Sequence, residues 1–154
     1  MQAYTVKQAF IKIASFCAYQ ERCHQEVREK LQTFQLTEDE IEEVIVLLIN
    51  DNYLSEQRFA IAFAGGKFRV KHWGKIKIRY ELQQRNISSY CIQKALESID
   101  NEEYYEKLVE LATKKTQQEQ LKSITDKQKL YNFLASKGYE SSLIQEVISL
   151  VFSA

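Results

Sequence analysis

Residues 74–99 read GKIKIRYELQQRNISSYCIQKALESI, and the chain contains this pattern three times. Residues 23–48, CHQEVREKLQTFQLTEDEIEEVIVLL, and residues 126–151, DKQKLYNFLASKGYESSLIQEVISLV, overlay it without a gap. Leu31, Leu82 and Leu134 coincide, and so do Val27, Ile78 and Leu130 four residues earlier. Leu36, Ile87 and Tyr139, then Ile41, Ile92 and Ile144, continue the register. Val44, Ala95 and Val147, and Leu48, Ile99 and Val151, complete it. Six aligned apolar columns mark a true triplication.

The columns have helical spacing. Val27 with Leu31, Ile78 with Leu82 and Leu130 with Leu134 are i, i+4 pairs on one face. Gln35, Asn86 and Gly138 share one column just past each middle helix, where a left-handed cap residue belongs. Thr37 with Glu40 makes a capping box, Ser88 is an N-cap, and Thr125 with Gln128 is expected to cap the middle helix of the third unit. Each unit therefore predicts three helices: near 4–20, 23–34 and 38–50; 55–70, 75–85 and 89–99; and 101–119, 126–137 and 141–152. The expected fold is all-α, an elongated tandem array of three three-helix repeats with about nine helices, in one regulatory domain divided 1–53, 54–100 and 101–154. Repeats in series bury their leftover apolar faces against each other. The middle repeat is expected to touch both neighbours, which explains apolar residues on two sides of its first helix: Phe59, Phe63 and Val70 on one, Ile61 and Phe68 on the other.

Composition agrees. The chain has 154 residues, no proline and only four glycines, and 45% of it is hydrophobic. That suits helices and disfavours a sheet sandwich with many tight turns. The three cysteines, Cys17, Cys23 and Cys91, are odd in number and irregular in spacing, so they predict buried thiols rather than a disulfide framework. Residues 1–14 lack a signal pattern and no run is apolar enough to span a bilayer, so a cytoplasmic chain with no membrane contact is expected.

Charge is uneven although the whole chain is neutral. Residues 1–57 carry a net −5, residues 58–100 a net +6 and residues 101–154 a net −1. The positive block holds Arg58, Lys67, Arg69, Lys71, Lys75, Lys77, Arg79 and Arg85. On the helix at 75–85, Ile78 and Leu82 face inward and Lys75 and Arg79 border them on one side. Ile76 and Tyr80 point well away, and an exposed apolar–aromatic pair beside cations has the character of a contact surface. Trp73 reads as a packing plug at a helix break. Chemistry has no comparable signal. His24 and His72 lack metal-ligand partners at helical spacing. Gly65–Gly66–Lys67 lacks the strand, the upstream glycine and the hydroxyl residue of a phosphate loop. Neither a catalytic residue, a metal site nor a cofactor is expected.

The run Arg58-Phe59-Ala60-x-Ala62-Phe63, then Trp73-Gly74-Lys75-x-x-Ile78-Arg79-x-x-Leu82 and Asn86-Ile87, resembles the central signature of the RecX regulatory proteins, bacterial modulators of the RecA recombinase. Leu54-Ser55-Glu56, Glu26-x-x-x-Lys30-Leu31 and Ile41-x-x-Val44-Ile45-x-x-Leu48 fit the same family, so the resemblance covers nearly the whole chain. Ser55 stands where the family commonly has Asp, and can still cap its helix. Gly65–Gly66 is unusual inside a helix and costs roughly 1 kcal/mol per glycine relative to alanine. The resemblance implies a non-enzymatic monomer that binds the RecA filament and restrains ATP hydrolysis and strand exchange in DNA repair and recombination. It makes Arg58, Lys75 and Arg79 candidate contacts, with Lys67, Arg69, Lys71, Lys77, Ile76 and Tyr80 around them. It leaves Phe59, Phe63, Trp73, Gly74, Ile78 and Leu82 as structural residues. The alternative reading is a nucleic-acid-binding module that takes single- or double-stranded DNA on the basic middle repeat.

Overall fold

The computed structural model describes residues 3–153. Among them the chain forms nine α-helices and no strand: α1 (Val6–Tyr19), α2 (His24–Gln32), α3 (Glu38–Asn50), α4 (Glu56–Gly66), α5 (Lys75–Gln84), α6 (Ser89–Glu97), α7 (Asn101–Glu119), α8 (Ile124–Ser136) and α9 (Ser141–Ser153). They group in threes, as the triplication predicts. The exposed surface is 9459 Å², against about 8,100 Å² expected for a compact chain of this mass, so the array is elongated.

Local chemistry sets most helix ends. Thr5, Thr37, Ser55, Ser88 and Asp100 each accept a backbone N–H of the following turn. Gln35, Asn86 and Gly138 all take positive φ, at 60°, 58° and 100°. Ile78, Leu82, Leu130, Leu134, Val27 and Leu31 are fully buried.

Two local expectations need correction. The cap of α8 is Ser123, not Thr125: Ser123 Oγ accepts from Asp126 N at 3.2 Å, while the Asp126 carboxylate accepts from Lys122 N and Ser123 N at 2.8 and 2.9 Å. A short carboxylate that satisfies two end N–H groups outcompetes the longer Gln128, and those bonds hold the Asp126 carboxyl below its ordinary range. Ser123→Ala is accordingly expected to cost about 1 kcal/mol, and Thr125→Ala about 0.5 kcal/mol or less, as read from thermal melts.

The second correction concerns 55–70. The α-helix ends at Gly66, and Lys67–Lys71 continue as a π turn closed by His72 in the left-handed region at φ 59°. A π turn carries one extra residue, which re-aims side chains by about 100°. Phe68 goes into the core at 2% exposure and Val70 goes out at 74%. Ile61 is also exposed, so the expected burial of Ile61 and Val70 does not occur.

Burial divides the array unequally. One core is built only from residues 9 to 54. The other runs continuously through α4–α9 and includes Cys23 as its single buried residue from the first repeat. The second and third repeats thus share one interior.

Candidate protein-interaction surface

Helix α5 puts Ile78 and Leu82 into the core and turns its opposite face to solvent. At the summit of that outer face stand Ile76, 50% exposed, and Tyr80, 57% exposed. Neither is covered by a neighbouring repeat. Lys75 and Arg79 lie on one flank of this pair, Lys77 and Arg85 on the other, by their 3.6-residue spacing.

The Lys77 flank is built as a ladder of cations and rings. Arg85 lies over the Phe63 ring at 4.7 Å. Lys67 Nζ is 5.4 Å from Phe63 and 5.1 Å from Trp73. Lys77 Nζ covers Trp73 at 4.8 Å, and Phe63 meets Trp73 edge to face at 6.4 Å. The rings hold the cations in place without neutralising them. Among the described residues, none of Lys67, Arg69, Lys71, Lys75, Lys77, Arg79 and Arg85 forms an ion pair. Their charge is not taken up in an ion pair.

The eight cations divide by duty, with Arg85 half-buried over Phe63. Arg79, Arg69 and Lys71 are exposed, with the Arg69 guanidinium passing over Gly65. Lys67 and Lys77 are half-buried on Trp73. Lys75 is half-buried with its Nζ 4.8 Å from the Tyr104 ring. Arg58 is committed within the chain, to Glu21 at 3.0 Å and the Asn52 carbonyl at 2.7 Å. Phe59 is buried, Phe63 and Trp73 are partly buried, and Gly74 is buried.

Sequence reasoning missed what surrounds Gly74. Gly74 N donates to the Lys137 carbonyl at 2.8 Å, and Ile76 N to the Gly138 carbonyl at 2.9 Å. Lys75 N donates to Tyr104 Oη at 2.9 Å, and Tyr104 Oη donates to Glu140. Tyr139 Oη donates to the His72 carbonyl at 3.1 Å. The first turn of α5 is capped by the third repeat, which orients the outer face. Burial pushes the phenols of Tyr104 and Tyr139 well above their ordinary range, Tyr104 further through its bond to Glu140. Gly74, just before the middle helix of the second repeat, and Gly138, just after that of the third, were the available signal. Among the described residues, no acidic, histidine or cysteine cluster could hold a metal ion, and no helix is long and apolar enough to cross a membrane.

Comparison with known proteins gives a consistent family. Residues 55–96 match the family model for the second three-helix domain of RecX, and residues 102–148 match that for the third. The regulatory protein RecX of Chlorobium phaeobacteroides (strain BS1) is 30% identical over 146 residues, 95% of each chain. That of Clostridium botulinum (strain Eklund 17B / Type B) is 36% identical over 132 residues, 82% of this chain. The chain spans 60% of the Clostridium botulinum protein and 52% of the RecX of Bacillus cytotoxicus (strain DSM 22905 / CIP 110041 / 391-98 / NVH 391-98). In fold, the crystal structure of RecX from Lactobacillus salivarius superposes with a TM-score of 0.87 at 23% identity, over 97% of both chains. These matches cover the stretch with the Trp73-Gly74-Lys75 motif and the helical triplets alike, and the chain belongs to the RecX family of regulatory proteins.

Proposed function

We propose that this chain restrains the RecA recombinase filament without catalysing a reaction of its own, and that the outer face of α5 is the surface that touches the filament. RecA as the partner comes from the family resemblance. The carrying observation is the exposed Ile76–Tyr80 pair between two cationic flanks whose lysines and arginines form no ion pair among the described residues, although Glu81 stands between Lys77 and Arg85 by its spacing. Such a face complements an apolar dimple rimmed by acidic side chains on a protein. A phosphate backbone would use the cations and leave Ile76 and Tyr80 without a partner. An elongated body spans more than one subunit of a polymer, so bound chains would oppose filament growth, ATP hydrolysis and strand exchange. In this reading the three repeats, 1–53, 54–100 and 101–154, bind the filament together. Arg79, Lys77, Ile76 and Tyr80 make the contact, with Arg69, Lys71 and Lys67 beside them. Lys75 and Arg58 serve mainly to hold the array together.

The test is titration into RecA on single-stranded DNA, following ATP hydrolysis. Inhibition by the parent chain is expected, and the double variant Arg79→Glu/Tyr80→Ala is expected to need roughly 30-fold more protein, since one well-placed contact residue is worth about 2 kcal/mol. Both side chains are exposed, so its circular dichroism should match the parent. No inhibition by the parent at several-fold excess would remove the reading. A salt slope of about 0.7 per neutralised phosphate, kept by the variant, would move the activity to DNA binding instead.

A further inference from the structure

The two joints of this array are built on the same plan and closed differently. The N-cap of α5, Gly74, meets the turn after α8 at Gly138. One repeat earlier, the corresponding N-cap of α2 is Cys23 and the corresponding turn after α5 is Asn86. At the second joint both residues are glycine. The backbones touch, and five hydrogen bonds cross: Gly74 N and Ile76 N to carbonyls, Lys75 N to Tyr104, Tyr139 to His72, and Lys137 Nζ to the Lys71 carbonyl. At the first joint both residues carry side chains. Cys23 N turns back to Glu26 at 3.0 Å instead. A cleft of about 210 Å³, lined by His24, Gln25, Arg28, Glu56, Arg85 and Asn86, stays open beside it.

Few contacts hold that first joint. The cores of the first repeat and of the other two are separate, apart from Cys23. Leu54 belongs to the first core, and among the described residues every hydrogen bond and ion pair between residues 3–54 and residues 55–100 is made by Arg58, to Glu21 and the Asn52 carbonyl. The remaining ties are the covalent link at Leu54–Ser55 and the buried Cys23 side chain. Two points leave a body one axis of rotation, and a third point stops it. The Arg58 and Glu21 side chains are 44% and 32% exposed, so the third point is a weak, water-screened pair.

We propose that the array bends at this joint alone: the first repeat swings about Leu54–Ser55 and Cys23, the second and third repeats move as one body, and Arg58 is the latch that sets the angle. The inference goes beyond the proposed function and does not depend on the identity of the partner. It gives the cation of the Arg58-Phe59 motif a role in geometry rather than in contact.

Distances between nitroxide labels test it on the full chain. One pair, Glu29→Cys with Gln93→Cys, spans the first joint; the other, Gln93→Cys with Glu146→Cys, spans the second. All three side chains, Glu29, Gln93 and Glu146, are exposed. The native thiols are buried, and burial pushes Cys17 up to about 11, so labelling at neutral pH falls on the new cysteines. Double electron–electron resonance is expected to give a distribution at least twice as wide across the first joint as across the second. Arg58→Ala should widen the first further and leave the second unchanged, and Glu21→Gln should do the same from the other side of the pair. Equal widths at the two joints, or a first distribution unmoved by both Arg58→Ala and Glu21→Gln, would overturn the proposal.

Discussion

Gly138→Ala is expected to destabilise the chain by about 3–5 kcal/mol, a large part of the total for a domain of this size. A Cβ at Gly138 would stand 2.4 Å from Lys77 Cβ and 2.7 Å from Lys77 N, in a backbone conformation with φ at 100°. Neither neighbour is the end of a flexible side chain, so relief requires the second and third repeats to part. Parting them breaks the bonds from Gly74 N and Ile76 N to the Lys137 and Gly138 carbonyls and leaves those N–H groups unpaired in a buried place. Gly74→Ala meets the same obstacle from the other side, with Gly138 backbone atoms at 2.4 Å. Gly66→Ala is the control, because nothing lies within 4 Å of its added Cβ. It should stabilise by roughly 0.5–1 kcal/mol, the ordinary helix gain over glycine. Urea denaturation followed by circular dichroism reads all three. A Gly138→Ala chain within 1 kcal/mol of the parent would show that the joint is not closed as described.

The same joint sets the response to alkali. The ordinary phenol value is 10.0, and both Tyr104 and Tyr139 are raised above it in the fold, chiefly by burial. Below pH 10 folded and unfolded chains alike keep these protons, and the two groups add no pH dependence. Above pH 10 the unfolded chain releases them and the folded chain does not, so stability falls as pH rises. Each tyrosine contributes about 1.4 kcal/mol per pH unit to that slope. Tyr104→Phe should remove half of this contribution. At neutral pH it should also cost about 1–3 kcal/mol, because Lys75 N loses its acceptor and Glu140 its donor. Unfolding free energies from urea titrations at pH 9, 10 and 11 give the slopes. A slope unchanged in Tyr104→Phe would mean that Tyr104 ionises in the fold as it does in water.

The helices were legible because their causes are local and periodic. Val27 and Leu31 repeat as Ile78 and Leu82 and again as Leu130 and Leu134, and Thr37, Ser55 and Ser88 announce the starts they cap. The left-handed turns at Gln35, Asn86 and Gly138 followed from the register, even where glutamine is a poor residue for that conformation. The cap of α8 was misread because Ser123 and Thr125 compete at close range, and the choice turns on which acceptor reaches two N–H groups. The π turn at Lys67–Lys71 had only Gly65–Gly66 as a sign, and a glycine pair does not say which way the following side chains turn.

The order of helices, their faces, their repeat and the concentration of positive charge between Arg58 and Arg85 are properties of the sequence alone, since each depends on neighbours within a few residues. Which of those charges are free was decided by the tertiary structure. Arg58 found Glu21, 37 residues away, and Lys75 came to rest on Tyr104, 29 residues away. The unequal joints were decided there as well, because whether two backbones may touch depends on the Cβ atoms of residues that meet only after the repeats have packed.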